Sequence, residues 1–112
     1  MKRKVDIAKL KQLGFDQIAK KQFFANYRGY DCYVSHHLVS IGLKPCIKIA
    51  VKFNLGSRGK LDFLVKKYSR INIKWYLDAV EYYSLYNFIS PKYEEIKKRL
   101  DELIDILNLE IK

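Results

Sequence analysis

The chain has 112 residues, 49% of them hydrophobic, two cysteines and a formal net charge of +10. This length and composition predict one compact domain over residues 1–112 with a single core, without linker composition or repeats and with disorder expected only at the two ends. The basic start lacks a signal-type apolar stretch, and charges interrupt the apolar-rich segment 71–89, so we expect no membrane span and a cytoplasmic protein.

The positive charge is concentrated in the first half of the chain. Residues 1–60 contain thirteen Lys or Arg and three acids, whereas residues 61–112 contain nine of each. No Glu precedes Glu81, so few acidic groups are available to neutralise the first half. Such an asymmetry is typical of proteins that bind a polyanion.

The N-terminal segment has helical periodicity. Val5 to Leu13 has one apolar and one basic face, and Gly14 is placed to end the helix. Asp16 stands where an N-cap is expected, so we predict a second short helix to about Ala25. Both helices would present basic residues.

Strands are predicted in the centre of the chain. Segments 30–34 and 38–41 are rich in aromatic and β-branched residues, and the turn residues 42–45 follow them, which indicates a hairpin. Residues 46–53 form the clearest predicted strand, with Lys48, Ala50 and Lys52 on one face.

The next region has mixed signals. A loop is expected at Gly56–Gly59, followed by a helix over 61–68, where strand alternation also fits the apolar positions. Ile71 and Ile73 indicate a brief strand, and the spacing of apolar residues from Trp75 to Tyr86 favours another helix.

The last element has the strongest helix signals. Ser90 is a good N-cap, Pro91 suits the first helical position, and apolar residues from Ile96 to Ile111 form one stripe. We predict a helix over Pro91–Leu109 whose stripe closes the core, with a dimer seam as the alternative, so the protein is a monomer or a homodimer. The predicted fold class is α+β: a basic N-terminal helical segment, about three antiparallel strands, and helices packed on the sheet with a long C-terminal helix.

Cysteine and histidine positions do not predict a metal site. Cys32 and Cys46 both fall in predicted strands and are expected to be buried free thiols. His36 and His37 are adjacent in an extended segment, where their side chains point to opposite faces and do not chelate together. We expect no metal and no cofactor.

One nuclease-like pattern occurs in residues 5–53. Asp31 on one strand and Ile49-Ala50-Val51-Lys52 on the next resemble the small Holliday-junction-resolvase branch of the restriction-endonuclease-like nucleases. That resemblance implies an acid and a Glu-x-Lys that bind magnesium, with Asp31 as the acid and Lys52 as the lysine. Ala50 occupies the position of the Glu, which leaves the metal one carboxylate short. We therefore predict that the protein is not an enzyme and has no catalytic residues.

The predicted function is nucleic-acid binding, DNA or RNA, with no membrane partner. Lysines and arginines would neutralise phosphates, and aromatic residues interleaved with them at 23–33 would stack on exposed bases. The candidate residues are Lys2, Arg3, Lys4, Lys9, Lys11, Lys20, Lys21, Tyr27, Arg28 and Tyr30, with a possible second rim of Lys48, Lys52, Arg58 and Lys60. The alternative is an inhibitor or adaptor of phage or mobile-element type, in the manner of anti-CRISPR or anti-restriction proteins, whose basic face binds an acidic surface or occupies the nucleic-acid groove of a host nuclease.

Overall fold

The computed structural model describes residues 7–20, 22–39, 44–70, 72–83 and 93–111. Within these ranges the chain forms, in order, α1 (Ile7–Gln12), β1 (Asp16–Ala19), β2 (Gln22–Tyr27), β3 (Tyr30–Val39), β4 (Lys44–Lys52), α2 (Arg58–Lys67), β5 (Ile73–Trp75), β6 (Ala79–Tyr83) and α3 (Tyr93–Glu110). None of the described helices is long and apolar enough to cross a membrane.

The strands form one six-stranded sheet in the order β1-β2-β3-β4-β6-β5, and every neighbouring pair is antiparallel. The two-residue loop between β2 and β3 consists of Arg28 (φ 53°) and Gly29 (φ 89°). Two central residues with positive φ are what a tight type I′ hairpin requires. Glycine adopts this conformation freely, whereas an arginine does so only when other contacts hold it in place.

One face of the sheet builds the core. A row of cross-strand partners runs over five strands, and all its members are buried: Phe23, Val34, Ile49, Tyr82 and Ile73. Helix α3 packs against β4 and contributes a stripe of buried side chains to the same core: Ile96, Leu100, Leu103, Ile104 and Leu107. Leu10 of α1 and Leu64 of α2 belong to this core too.

The predicted fold class is confirmed in outline. The protein is α+β, the sheet is antiparallel, and the C-terminal helix closes the core as its stripe indicated. The observed bounds of α3 are Tyr93–Glu110; Ser90 and Pro91, the predicted start, lie outside the described residues. The estimate of about three strands was too low, because the sheet has six.

The predicted helix from Asp16 to about Ala25 was wrong. This segment forms β1 and β2, which pair with each other, and β2 pairs with β3. Phe23 and Ala25 are buried on the core face, whereas Phe24 between them is half-buried on the other face. Apolar side chains on both faces of a strand obscure the period of two that distinguishes a strand from a helix.

The predicted helix over Trp75–Tyr86 was also wrong over residues 75–83, and residues 84–86 lie outside the described residues. Residues 73–75 and 79–83 form β5 and β6, with Trp75 opposite Val80. By contrast, the helix expected at 61–68 is confirmed as α2, which starts earlier than predicted because the Ser57 hydroxyl accepts a hydrogen bond from the Lys60 backbone amide as an N-cap. Arg58 and Gly59 therefore lie in the helix, not in the predicted loop.

The predicted hairpin in the centre is confirmed as the pairing of β3 with β4. Its first strand is continuous over Tyr30–Val39, and residues 40–43 lie outside the described residues. The predicted turn over 42–45 was wrong at its end, because Lys44 and Pro45 pair with β3 as the first residues of β4. Cys32 is free and buried, as expected, and burial raises the pKa of its thiol to about 12. The side chains of Cys46, His36 and His37 are outside the described part of the structure.

Candidate nucleic-acid interface

The second face of the sheet is not covered by α1, α2 or α3, since their buried side chains all join the core on the first face. A row of cross-strand partners, offset by one residue from the buried row, crosses this second face: Phe24, Tyr33, Ala50, Glu81 and Lys74. We call this surface the open face. Side chains alternate between the two faces of a strand, so residues two positions from these also lie on the open face.

Aromatic side chains lie on both halves of the open face. The rings of Phe24 and Tyr33 contact each other across β2 and β3, with centroids 5.1 Å apart and planes tilted by 55°. Tyr83 lies at the far side on β6 and is half-buried, and Tyr76 follows β5 with 41% of its surface exposed. The solvent face of an antiparallel sheet is commonly polar, so the rings of Phe24, Tyr33 and Tyr76 make this face a candidate binding surface.

Three lysines lie among these rings. Lys48 and Lys52 are on β4, where they pair in register with Tyr83 and Ala79, and Lys74 on β5 pairs with Glu81. Lys48 Nζ is 3.7 Å from Glu81 Oε2, a loose ion pair. Lys52 and Lys74 are exposed, and neither forms an ion pair with another side chain in the described part of the structure. Both ammonium groups are therefore available to bind an anion.

Glu81 occupies the middle of the β4, β5 and β6 half of the open face. Its Oε1 accepts a hydrogen bond of 2.7 Å from the Tyr83 hydroxyl. The pKa of Tyr76 is raised, first by burial and then by the charge of Glu81 and a hydrogen bond to it. The carboxylate is thus held in one position, with 20% of the side chain exposed.

The predicted site residues of the β2 and β3 hairpin contact α3. Tyr27 donates a hydrogen bond to Asp101 Oδ1 (2.9 Å), and Tyr30 donates one to Asn108 Oδ1 (2.9 Å). Arg28 forms ion pairs with Asp101 (3.1 Å) and with Asp105 (2.8 Å). These contacts explain how an arginine is held at positive φ in the turn, and they direct the polar ends of all three side chains to α3 instead of the open face.

The contact between the β2–β3 hairpin and α3 shifts the pKa values of Tyr27 and Asp101. Burial and then the hydrogen bond to Asp101 raise the pKa of Tyr27. Burial alone would raise the pKa of Asp101, but hydrogen bonds from Lys97, Tyr27 and Arg28 outweigh it and lower that pKa. These hydrogen bonds and ion pairs anchor the β2–β3 hairpin to α3. Their role is therefore to stabilise the fold.

The other predicted residues are spread over the molecule. Lys11 and Lys20 are exposed at α1 and after β1, and Arg58 and Lys60 are exposed in the first turn of α2. Lys48 and Lys52 alone among the predicted residues with described side chains lie on the open face. Lys2, Arg3, Lys4 and Lys21 are outside the described residues, as is the side chain of Lys9.

Sequence reasoning missed the β5 and β6 half of the open face. Lys74, Tyr76, Glu81 and Tyr83 fell in a segment interpreted mainly as helix. The alternation of Ile73 and Trp75 with Lys74 and Tyr76 was the signal for a strand. This signal is weak because β5 is only three residues long.

The nuclease-like pattern also maps to the open face. Asp31 and Lys52 flank the cross-strand pair Cys32 and Val51, and Asp31 accepts a hydrogen bond of 3.1 Å from the Asn26 side chain. Ala50, where the nuclease pattern has Glu, pairs with Tyr33. The described side chains contain no group of three His, Cys, Asp or Glu arranged to hold a metal ion.

The fold and this surface define an α+β protein in which the described helices all pack on one face of the sheet. Comparisons with protein-family models, curated proteins and solved structures found no match to this chain.

Proposed function

We propose that this protein binds single-stranded nucleic acid across the open face. The observation that carries the proposal is the composition of that face, which combines the aromatic rings of Phe24, Tyr33 and Tyr76 with three lysines on β4 and β5: Lys48, Lys52 and Lys74. Aromatic rings stack on bases and lysines neutralise phosphates, so this combination suits a polymer that presents both.

The preference for a single strand follows from the aromatic rings. Bases in a duplex stack on each other and present only their edges, so a ring on a flat sheet has no base plane to contact. An unpaired strand can place its bases on the rings, and each such stack contributes about 1–3 kcal/mol. A surface built only for duplex phosphates would need lysines but no aromatic rings.

The net charge of +10 supports the same proposal. Exposed basic residues beyond the open face, such as Lys20, would attract the strand over a longer range and increase the rate of association. Their contribution is screened by salt, whereas stacking on the rings is not. Binding should therefore weaken with salt but retain a component that depends on the aromatic residues.

The test is to measure the affinity for a fluorescent single strand of about 12 nucleotides, and for the matching duplex, over a salt series. Tyr33→Leu keeps an apolar contact with Phe24 but removes the ring, and it should weaken binding about 5- to 150-fold. The control, Phe63→Leu, changes a ring that is 50% exposed on α2 and should leave the affinity unchanged.

A paired charge test uses the same oligonucleotide. Lys52→Gln with Lys74→Gln removes two open-face charges and should reduce the salt slope by about 1.4, that is about 0.7 for each phosphate contact on a single strand. Lys66→Gln with Lys98→Gln removes two exposed charges from α2 and α3 and should leave the slope nearly unchanged.

Equal effects of the two lysine pairs would contradict the proposed surface. Absence of binding to any single strand near physiological salt would contradict the proposed function. It would favour the alternative of a protein that binds an acidic protein surface.

A further inference from the structure

Glu81 is an unexpected residue on a surface proposed to bind a polyanion. It lies between Ala50 of β4 and Lys74 of β5, within the β4, β5 and β6 half of the open face. A carboxylate there repels phosphate, so it weakens non-specific binding to the backbone. A role in which its negative charge is favourable would account for its position.

The carboxylate is oriented and still has acceptor capacity. Oε1 accepts the 2.7 Å hydrogen bond from Tyr83, and the carboxylate also accepts one from Tyr76, while Oε2 is 3.7 Å from Lys48 Nζ, which is beyond ordinary hydrogen-bond length. A carboxylate can accept about four hydrogen bonds and donates none. The side chain is half-buried and tied to its neighbours, so little rotamer freedom remains to be lost when a ligand binds.

We infer that Glu81 selects bases that carry an exocyclic amino group and disfavours thymine and uracil. The inference rests on the proposed function of the open face. The amino group of cytosine donates a hydrogen bond to a carboxylate, as glutamate and aspartate accept from cytosine in protein–DNA complexes. Thymine presents an N–H between two carbonyl oxygens, and a group that only accepts hydrogen bonds leaves those oxygens unpaired and repels them.

The surrounding residues fit this role. A base stacked on Tyr33 would have its edge toward Glu81 across Ala50, while Lys52 and Lys74 remain available for the flanking phosphates. Stacking would then supply affinity for any base, and Glu81 would supply the difference between bases.

The experiment compares oligodeoxycytidine with oligothymidine, both about 12 nucleotides long, by fluorescence anisotropy at one salt concentration. Both are pyrimidine strands with the same number of phosphates. The wild-type protein should bind the cytosine strand between about twofold and about tenfold more tightly, the range that one net hydrogen bond supplies. In Glu81→Gln the ratio should fall to about one, because an amide both donates and accepts.

The control is Asp62→Asn, which removes the same charge from an exposed position on α2 and should leave the ratio unchanged. Glu81→Gln also releases Lys48 and should increase the affinity for both strands alike, which does not alter the ratio. A ratio of one in the wild type, or a ratio that survives in Glu81→Gln, would overturn the inference while leaving the proposed function intact. Failure of the wild type to bind either strand would overturn the proposed function itself.

Discussion

Replacing one buried leucine of α3 tests whether this helix closes the core. Leu103 has 1% of its surface exposed, whereas Leu109, six residues later in the same helix, has 71% exposed. Leu103→Ala removes apolar atoms that are completely packed and leaves a cavity. Together these effects destabilise a protein by about 2–5 kcal/mol.

Leu109→Ala is the matched control. It makes the same chemical change in the same helix at a site that is largely in solvent, and alanine has the higher helix propensity. Its effect on the free energy of unfolding should stay within about 0.5 kcal/mol. The two variants therefore separate burial from any general effect of shortening a leucine.

The assay is urea denaturation of both variants, with thermal melting and sedimentation alongside. For a domain of this length, Leu103→Ala should lower Tm by about 8–20 °C. Two variants within about 0.5 kcal/mol of each other would refute the assignment of this stripe to the core. A Leu103→Ala protein with unchanged Tm that dissociates from dimer to monomer would show that the stripe is an interface.

Three further predictions follow from the site and its surroundings. In a Cys46→Ser background, Cys32 should fail to react with a disulfide reagent at about pH 8 in the native state and react fully in denaturant, because burial raises the pKa of its thiol to about 12; rapid native reaction would contradict its burial. The pKa of Asp101 is lowered on folding, so its stabilising effect is present above the unfolded pKa of about 4 and is lost as the pH falls below that value. The difference in unfolding free energy between wild type and Asp101→Asn should shrink accordingly in denaturation series at falling pH, and a constant difference would refute this. Gel assays with magnesium should show no cleavage of branched, duplex or single-stranded DNA, and cleavage that is abolished by Asp31→Ala or Lys52→Ala would contradict the prediction that the protein is not a nuclease.

The elements predicted well are those whose signals are local. Helix α3 combines a long apolar stripe with acidic residues near its start, and β4 has lysines at 48 and 52 that alternate with buried neighbours on the core face. In both segments the period of the apolar residues matches the face that is buried. These segments needed no knowledge of their partners.

The elements predicted wrongly are those that depend on distant partners. β1 is exposed at all four positions and exists because it pairs with β2 at the edge of the sheet. β5 and β6 are short, and pairing of β6 with β4 joins residues about thirty positions apart, such as Ala50 and Glu81. Pairing at that separation leaves no local period in the sequence, and strand propensity depends on the neighbours.

For the candidate site, too, the sequence predicted the features with local signals and missed those that depend on distant residues. The charge asymmetry predicted a polyanion partner. The aromatic residues chosen from 23–33 were Tyr27 and Tyr30, which bond to α3, and not Phe24 and Tyr33, which lie on the open face. Sequence reasoning did not foresee that Arg28 would be paired with Asp101 and Asp105, since these acids are more than seventy residues away. A basic residue without an acid nearby in the sequence can still be paired in the fold with an acid from a distant segment.

The most direct test of the central claim is a titration of the isotope-labelled protein with a single-stranded oligonucleotide, followed by NMR of backbone amides and side chains. The account predicts chemical-shift changes concentrated at open-face residues, foremost Tyr33, Lys52 and Glu81, with α2 and α3 unaffected at their exposed positions. Chemical-shift changes confined to α2 and α3 would contradict it. The absence of any change, at concentrations where the charge of +10 alone would give weak binding, would contradict it too.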